Sequence, residues 1–384
     1  MKILADENIP YVREAFASLG DVVTMSGRAM TRDDTRDAEL LLVRSITKVN
    51  AGLLEGTRVR FVATATIGED HVDKAYLAEY GIAFSSAPGC NANSVAQYVV
   101  SSLLALEEDL QYPLEGRKIG VVGVGNVGSR VARQTAALGL TPVLNDPPLA
   151  RSSGDPVYRP IDEIFECDIV TLHVPLTRQG PDATFHLVDE AFIQCMKPGS
   201  ILINSSRGPV ADGAVLLAAL RRGQPSACIL DVWEGEPKVD PELLQTVYIG
   251  TPHIAGYSFD GKVNGTRQIY EAACAFLGEP PAWDPSPLLP VPECPQVVVD
   301  GTCDIHQALR QAVFPVYDAR SDSRNMKAMC DRPEAECAPF FDRLRKEYPR
   351  RREPFNTRAI IRSANPSLAR RLTTLGFQVI EEQA

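Results

Sequence analysis

KIGVVGVGNVGSRVARQTAALGLTPVLND, residues Lys118 to Asp146, decides the fold. Lys118 to Val124 is a short run rich in β-branched residues, fit for a buried strand. It runs into Gly123-x-Gly125-x-x-Gly128, and an amphipathic segment follows with apolar Val127, Val131, Ala132, Ala136 and Leu138. A second apolar run, Pro142 to Leu144, ends on Asp146, 18 positions past the third glycine. Strand, glycine turn, helix, second strand and acid in this order make the dinucleotide-binding fingerprint. The first glycine permits a tight turn, the second lets backbone approach a pyrophosphate, and the third lets helix and strand pack closely. Gly123, Gly125, Asn126, Val127 and Gly128 are therefore expected against the cofactor, with the helix N-terminus facing its phosphates. Asp146 is expected to accept hydrogen bonds from the adenine ribose and to repel a 2′-phosphate. Pro147 and Pro148 follow, with no basic residue before Arg151, so NAD is favoured over NADP.

Outward from this stretch the same alternation of strand and helix continues. Upstream, strands are expected at Met1–Ala5 and near Asp21–Met25, Glu39–Val43, Arg60–Ala63 and Ile82–Phe84, with Asn8-Ile9-Pro10 as a cap and first helical turn. That pattern means a parallel sheet with crossover helices, without a glycine fingerprint of its own. A long helix from about Asn91 to Leu110 leads into the fingerprint. Downstream, strands are expected near Ile169–Val174, Ser200–Ser205, Ala227–Asp231 and Val247–Ile249, completing a doubly wound unit. A helix from Phe259 to Leu277 would carry the chain back. Seven prolines between Pro280 and Pro295 then read as a linker. The expected fold class is α/β, with two doubly wound parallel-sheet domains and a small C-terminal α+β domain. Their expected extents are 1–90 with 258–285, 91–257, and 286–384.

The bulk numbers narrow the class. The chain has 384 residues, 45% hydrophobic and 23% charged, as ordinary globular proteins have. A net charge of −10 argues against non-specific nucleic-acid binding. The start, MKILADENIP, carries Asp6 and Glu7 and does not read as a signal peptide. The most apolar helix, Ala92 to Leu106, is interrupted by Asn93, Ser94, Gln97, Ser101 and Ser102, which speaks against a membrane span. Nine cysteines without C-x-x-C spacing fit reduced thiols in the cytoplasm better than disulfides or a metal site. From Ser286 onward, 15 Lys and Arg face 13 Asp and Glu, a net of +2. Arg343, Arg345, Lys346 and Arg350 to Arg352 cluster there, either as a solvated face or as an anion site.

Three residues at or just past expected strand ends can share one chemistry. They are Arg207 in NSSRG, Glu236 in WEGEP and His253 in TPHIAG. A guanidinium can grip a carboxylate in a fork and polarise a developing carbonyl. Imidazole can take a hydroxyl proton while hydride leaves the carbon, and a carboxylate beside it would hold the ring and favour its protonated form.

Over residues 1 to 280 the chain resembles the D-isomer-specific 2-hydroxyacid dehydrogenase family. The resemblance rests on GVGNVG, on HVPLTRQGPDATFHLVDEAFIQCMKPGSILINSSRGPVAD, on ILDVWEGEP and on TPHIAG. It implies Arg207, Glu236 and His253 as the catalytic set. It also implies cofactor contacts at Val174, Ser205, Ser206, Arg207, Asp231 and Gly256, with His173 and His186 belonging to the cofactor-side loop and the fold. MKILADENIP, LLVRSITKVN, ATATIGEDHVD, SAPGCNANSVAQYV and HIAGYSFDGK, with the C-terminal region, look most like the branch that oxidises 4-phosphoerythronate at C2 in the vitamin B6 route. That likeness implies NAD as cofactor, no metal, and substrate contacts at Ser45, Thr66 and Tyr257. It also implies a homodimer joined through the C-terminal domain. Arg44, beside Ser45, and the C-terminal arginines are the expected holders of the substrate phosphate. Two other readings stay open at this point: a phosphoglycerate dehydrogenase, and an NAD-sensing corepressor without catalytic duty.

Overall fold

The computed structural model describes residues 1–382, in two compact units: Met1–Asn91 with Ser258–Val291, and Ala92–Tyr257 with Pro292 onward. In the first unit β1 (Lys2–Asp6), β2 (Asp21–Met25), β3 (Leu40–Val43), β4 (Phe61–Thr64) and β5 (Ala83–Ser85) run parallel in the order β2-β1-β3-β4-β5. β3 and β4 are buried along their whole length, as continuous apolar runs in a parallel sheet covered on both faces must be. Alternate side chains serve opposite faces. Leu40 and Leu42 pack with Phe16, Ile269 and Tyr270, while Leu41 and Val43 pack with Leu53 and Leu77. The helix Phe259–Leu277 supplies Ile269 and Tyr270; the Ser258 side chain caps its start by accepting from the Gly261 N–H, and Gly278 at φ 75° ends it.

The expected turn of helix at Asn8–Pro10 is absent. Asp6 Oδ1 accepts the Asn8 backbone N–H at 2.8 Å and its side-chain amide at 3.1 Å. Asn8 is thereby held in an Asx-type turn and cannot cap a helix. The helix begins later, at Val12–Phe16, after Tyr11 at φ 55°.

In the second unit β6 (Lys118–Val122), β7 (Thr141–Asn145), β8 (Ile169–Leu172), β9 (Ile201–Asn204), β10 (Ala227–Leu230) and β11 (Ile249–Gly250) are parallel, in the order β11-β10-β9-β8-β6-β7. The order reverses beside β6, which is where doubly wound sheets bind nucleotides. A second, three-stranded parallel sheet follows from β12 (Gln296–Asp300), β13 (Arg358–Arg362) and β14 (Gln378–Glu381).

The two sheets of this unit share one core through the helix Ala92–Leu110. Val99, Leu103 and Leu106 of that helix join Ile119 and Ile203 of the larger sheet and Val299, Leu309 and Ile361 of the C-terminal elements in one apolar cluster. Its Ser94 and Ser101 are fully buried and serve as anchors. The Ser94 hydroxyl donates to the Ala255 carbonyl at 2.7 Å, and that of Ser101 donates to the Tyr317 carbonyl at 2.9 Å while accepting the Ala319 N–H. Two of the polar residues that argue against a bilayer, Ser94 and Ser101, are thus hydrogen-bonded inside the protein. No described helix is long and apolar enough to cross a membrane.

A charged bridge adds to this union. His306 Nδ1 lies 2.8 Å from Glu107 and Nε2 lies 3.3 Å from Glu115, an arrangement that only the doubly protonated ring can satisfy. Arg310 and Arg371 donate to the same two carboxylates at 2.8 and 3.0 Å. Burial pushes the imidazole pKa down, but the hydrogen bond and charge of Glu107, with those of Glu115, outweigh it and leave the pKa raised. A raised imidazole pKa stabilises the fold below the ordinary imidazole range, and that contribution fades as pH rises through the folded-state value. His306→Gln should therefore cost about 1–3 kcal/mol at pH 6, the usual range for charge-assisted hydrogen bonds. The deficit should shrink towards pH 9 in urea unfolding; a deficit independent of pH would remove the imidazolium bridge.

Candidate active site

The glycine loop after β6 shows why each glycine is there. Gly123 sits at φ 84°, and a Cβ on it would lie 2.7 Å from the His173 carbonyl oxygen and 2.9 Å from Val174 Cγ1. A Cβ on Gly128 would run into the Gly123 carbonyl. Gly125 differs, because a Cβ there would meet nothing within 4 Å. The open side of that residue is the surface that a pyrophosphate needs to approach at the start of the helix Asn126–Ala136. Asp146, at the end of β7, accepts the Val124 N–H on Oδ2 at 2.8 Å and the Leu149 N–H on Oδ1 at 3.0 Å. Its carboxylate ties the adenosine-side strand to the glycine loop and keeps lone pairs for a ribose hydroxyl. Arg151 is paired with Asp182, at 3.1 Å through Nη1. The residues fit a dinucleotide with an unphosphorylated ribose.

His173 follows β8 and is no acid–base candidate. Burial pushes its pKa down to about 3, and its ring is hydrogen-bonded to Thr171 Oγ1 at 2.9 Å and to Ser205 Oγ at 3.5 Å. A neutral imidazole here orients the Ser205 hydroxyl. Half-buried His186 sits between Glu234, at 2.7 Å, and Asp212, at 3.5 Å.

Arg207, Glu236 and His253 come from the loops after β9, β10 and β11, three neighbouring strands. Asn204 shapes the first loop. Its Oδ1 accepts the Ser206 N–H at 3.0 Å and hydroxyl at 2.8 Å, and its Nδ2 donates to the Arg207 carbonyl at 3.1 Å. Gly208 then passes so close to Trp233 that a Cβ would collide with that carbonyl. The arginine turn is thereby locked against the Trp233–Glu236 loop. Arg207 Nη1 donates to the Ser206 carbonyl at 2.8 Å.

Asp231 holds the third loop. It is 1% exposed, and its carboxylate accepts the Ile254 N–H at 2.7 Å, the Ala255 N–H at 2.9 Å and the Thr251 hydroxyl at 2.7 Å. Burial pushes its pKa up, against the charge of His253 and these hydrogen bonds. His253 is left at φ 58°, with its N–H donated to the Asp231 carbonyl at 2.7 Å. From the other side Arg351 donates to the Ala255 carbonyl at 2.6 Å and to Ser94. The two residues after the histidine are therefore pinned, by a carboxylate at their N–H groups and by a guanidinium at the Ala255 carbonyl.

The outcome is a single short contact, His253 Nδ1 to Glu236 Oε1 at 2.5 Å. Glu236 Oε2 accepts the Trp233 N–H at 3.2 Å. Burial pushes the Glu236 carboxyl up, but the charge and hydrogen bond of His253, with the charge of Arg345, hold it below the usual range. With Nδ1 given to a carboxylate, Nε2 is the nitrogen left to exchange a proton with a ligand.

The other expected site residues fall into their own units. In the first unit, Arg44 and Ser45 follow β3 and Thr66 follows β4, at the carboxyl ends of adjacent strands where Val43 pairs with Thr64. The Thr66 hydroxyl donates to the Gly68 carbonyl at 3.2 Å and stands 2.8 Å from Thr64 Oγ1. In the second unit, Gly256 and Tyr257 continue the pinned loop, and the Tyr257 ring meets that of Tyr348 edge-on. Two roles escape sequence reasoning. Asp231, expected as a cofactor contact, also holds the histidine loop with its carboxylate. Arg351, read within a charge run, is buried at 6% exposure. A signal for the latter exists in Tyr348, three positions before, and Tyr317, whose ring carries its guanidinium at 4.0 Å.

Comparisons with known proteins agree with this geometry. Residues 93–255 match the D-isomer specific 2-hydroxyacid dehydrogenase NAD-binding domain, and residues 288–376 match a domain of unknown function. Erythronate-4-phosphate dehydrogenase of Salmonella arizonae is 46% identical over 385 residues, covering 100% of both chains. The enzyme of the same description from Cronobacter sakazakii is 49% identical over 354 residues, 92% of each chain. Among solved structures, D-lactate dehydrogenase of Aquifex aeolicus with NAD and lactic acid superposes with TM-score 0.57 at 26% identity, covering 72% of this chain and 96% of that one. NAD-bound 3-phosphoglycerate dehydrogenase of Entamoeba histolytica shares the fold, with TM-score 0.63 at 23% identity over 72% of this chain and 95% of its own. With its whole length matched, C-terminal region included, the chain belongs to the erythronate-4-phosphate dehydrogenases, within the D-isomer-specific 2-hydroxyacid dehydrogenases.

Proposed function

We propose that the chain oxidises 4-phosphoerythronate at C2 to 2-oxo-3-hydroxy-4-phosphobutanoate, reducing NAD to NADH, with Arg207, Glu236 and His253 at the reacting carbon. This is the vitamin B6 route reaction carried by its relatives' name. The observation that carries the assignment of residues is the 2.5 Å contact between His253 and Glu236. It fixes the ring so that Nε2 takes the C2 hydroxyl proton, while the ionised Glu236 stabilises the imidazolium that forms. Arg207 grips the substrate carboxylate and withdraws charge from the carbonyl as it develops. Bound NAD supplies the hydride acceptor. The cradle at Gly123, Gly125, Asn126, Val127 and Gly128, with Asp146, binds it, and Ser205, Ser206 and Gly256 line the nicotinamide side. Arg44, Ser45, Thr66 and Tyr257 contact the substrate.

The same reading makes the protein a cytoplasmic homodimer, in keeping with nine cysteines that are all free thiols. The open face of the C-terminal sheet is the pairing surface. Val298, Ile360 and Ile380 lie in register across its three strands, and Val298 and Ile380 are each 44% exposed. Arg358 and Arg362 flank that row on one strand and Asp300 on another, so a second copy related by a two-fold axis would present matching charges.

His253→Asn should retain NAD binding and lose about 10²–10⁴-fold in kcat, the usual contribution of a positioned acid–base group. Glu236→Gln should move the pH–rate profile, because the imidazolium loses its partner. Near-normal turnover by His253→Asn would exclude it from the reaction. Asp146→Ala should weaken NAD and narrow its preference over NADP in kcat/KM, since a ribose contact and a repulsive charge go together. An unmoved NAD/NADP ratio would place that discrimination elsewhere. For the dimer, Val298→Glu with Ile380→Glu should give a monomer by light scattering at micromolar concentration with NAD binding intact; a persistent dimer would free the sheet face of this role.

A further inference from the structure

The basic cluster near the C-terminus does not form one surface. Arg351 and Arg352 are buried, the first holding the Ala255 carbonyl and the second donating to Asn356 Oδ1 at 2.7 Å. Arg343 is exposed and lies over the Phe340 ring at 5.1 Å. Arg345 is different. It is carried by the helix Glu334–Lys346, one turn after the fully buried Phe341, so it shares that residue's inward face. Its guanidinium carbon is 5.5 Å from the Tyr257 ring centroid and 5.8 Å from that of Phe341. Its Nε is buried and has no hydrogen-bond partner among the described residues. Its charge reaches the His253–Glu236 pair, because with His253 it holds the Glu236 carboxyl down against the effect of burial.

The His253–Glu236 pair therefore has the guanidinium of Arg345, from the C-terminal region, in its surroundings, besides Arg207, proposed above as the fork for the substrate carboxylate. A 2-hydroxy acid with a single carboxylate needs one such fork. A half-buried arginine with an unused donor, standing over a tyrosine in the loop of the catalytic histidine, suits a ligand with a second anion. We propose that Arg345 binds the 4-phosphate of the substrate, with Tyr257 as the surface that orients its guanidinium, and so makes the C-terminal region part of substrate selection. This rests on the reading of the reaction given above.

The test is steady-state oxidation of 4-phosphoerythronate and of unphosphorylated erythronate with NAD, by the full-length enzyme and its Arg345→Met variant. The expected result is a rise of about 10–100-fold in KM for 4-phosphoerythronate, the scale of a lost charge-assisted bond. The preference for the phosphorylated substrate in kcat/KM should fall by at least about tenfold, with the NAD dissociation constant unchanged. Arg345→Lys, which keeps the charge without the fork, should fall between. A preference equal to that of the parent enzyme would overturn the proposal. So would an equal loss of kcat on both substrates, which would make Arg345 a positioning residue acting through Glu236. If Arg345→Met fails to bind NAD, Arg345→Gln takes its place with the same two outcomes. A parent enzyme that does not oxidise 4-phosphoerythronate at all would instead sink the reading of the reaction.

Discussion

The carboxylate of Asp231 is the constraint on which the active site depends. It is buried at the end of β10, and three hydrogen bonds from Thr251, Ile254 and Ala255 use it as a fixed point. A buried carboxylate with fewer donors would cost several kcal/mol, so the loop has little freedom to leave it. Because His253 sits between these donors, its left-handed backbone follows from the loop closing on Asp231. The imidazole then falls against Glu236 without any help from ligand. The His253–Glu236 contact is a property of the loop backbone before it is a property of the side chains.

How much of this could be read from residues alone depended on the range of the physics. The cofactor cradle is legible because its constraints are local: a glycine at φ 84° and a glycine whose Cβ would strike the preceding turn leave no other residue. Arg207, Glu236 and His253 are each recognisable as following a strand, but that β9, β10 and β11 are neighbours is not legible without the family resemblance. The helix does not start at Asn8 because Asp6, two residues earlier, accepts both the N–H and the side-chain amide of that residue and turns it away from a capping role. Arg350 to Arg352 illustrate the opposite difficulty. Three identical neighbours look like one solvated face, yet two of them are buried, because the chain there passes under Tyr317 and Asn356.

The C-terminal region is joined to the nucleotide-binding sheet by polar as well as apolar contacts. Val99 and Leu103 share a core with Val299 and Ile361, while Ser94, Ser101 and Glu107 bind Arg351, Tyr317 and His306. One helix thus serves two sheets, and its hydroxyls are placed where the second sheet's connections cross it. Arg351 extends that union to the Ala255 carbonyl, two residues after His253. The region therefore contributes to the site by what it holds in place as well as by what it presents.

The helix Ala92–Leu110 also carries a consequence for how the protein is made. The bond from Ser101 to Tyr317 spans 216 residues, so its acceptor leaves the ribosome long after its donor. At ordinary synthesis rates of about 5–20 residues per second, that interval is about 10–40 s. Throughout it, one flank of the helix has neither the apolar cover nor the carbonyl it is built for. The nucleotide-binding sheet can assemble during this time, but its helix waits half-covered for the last quarter of the chain. Folding of the enzyme is in that sense completed from its far end.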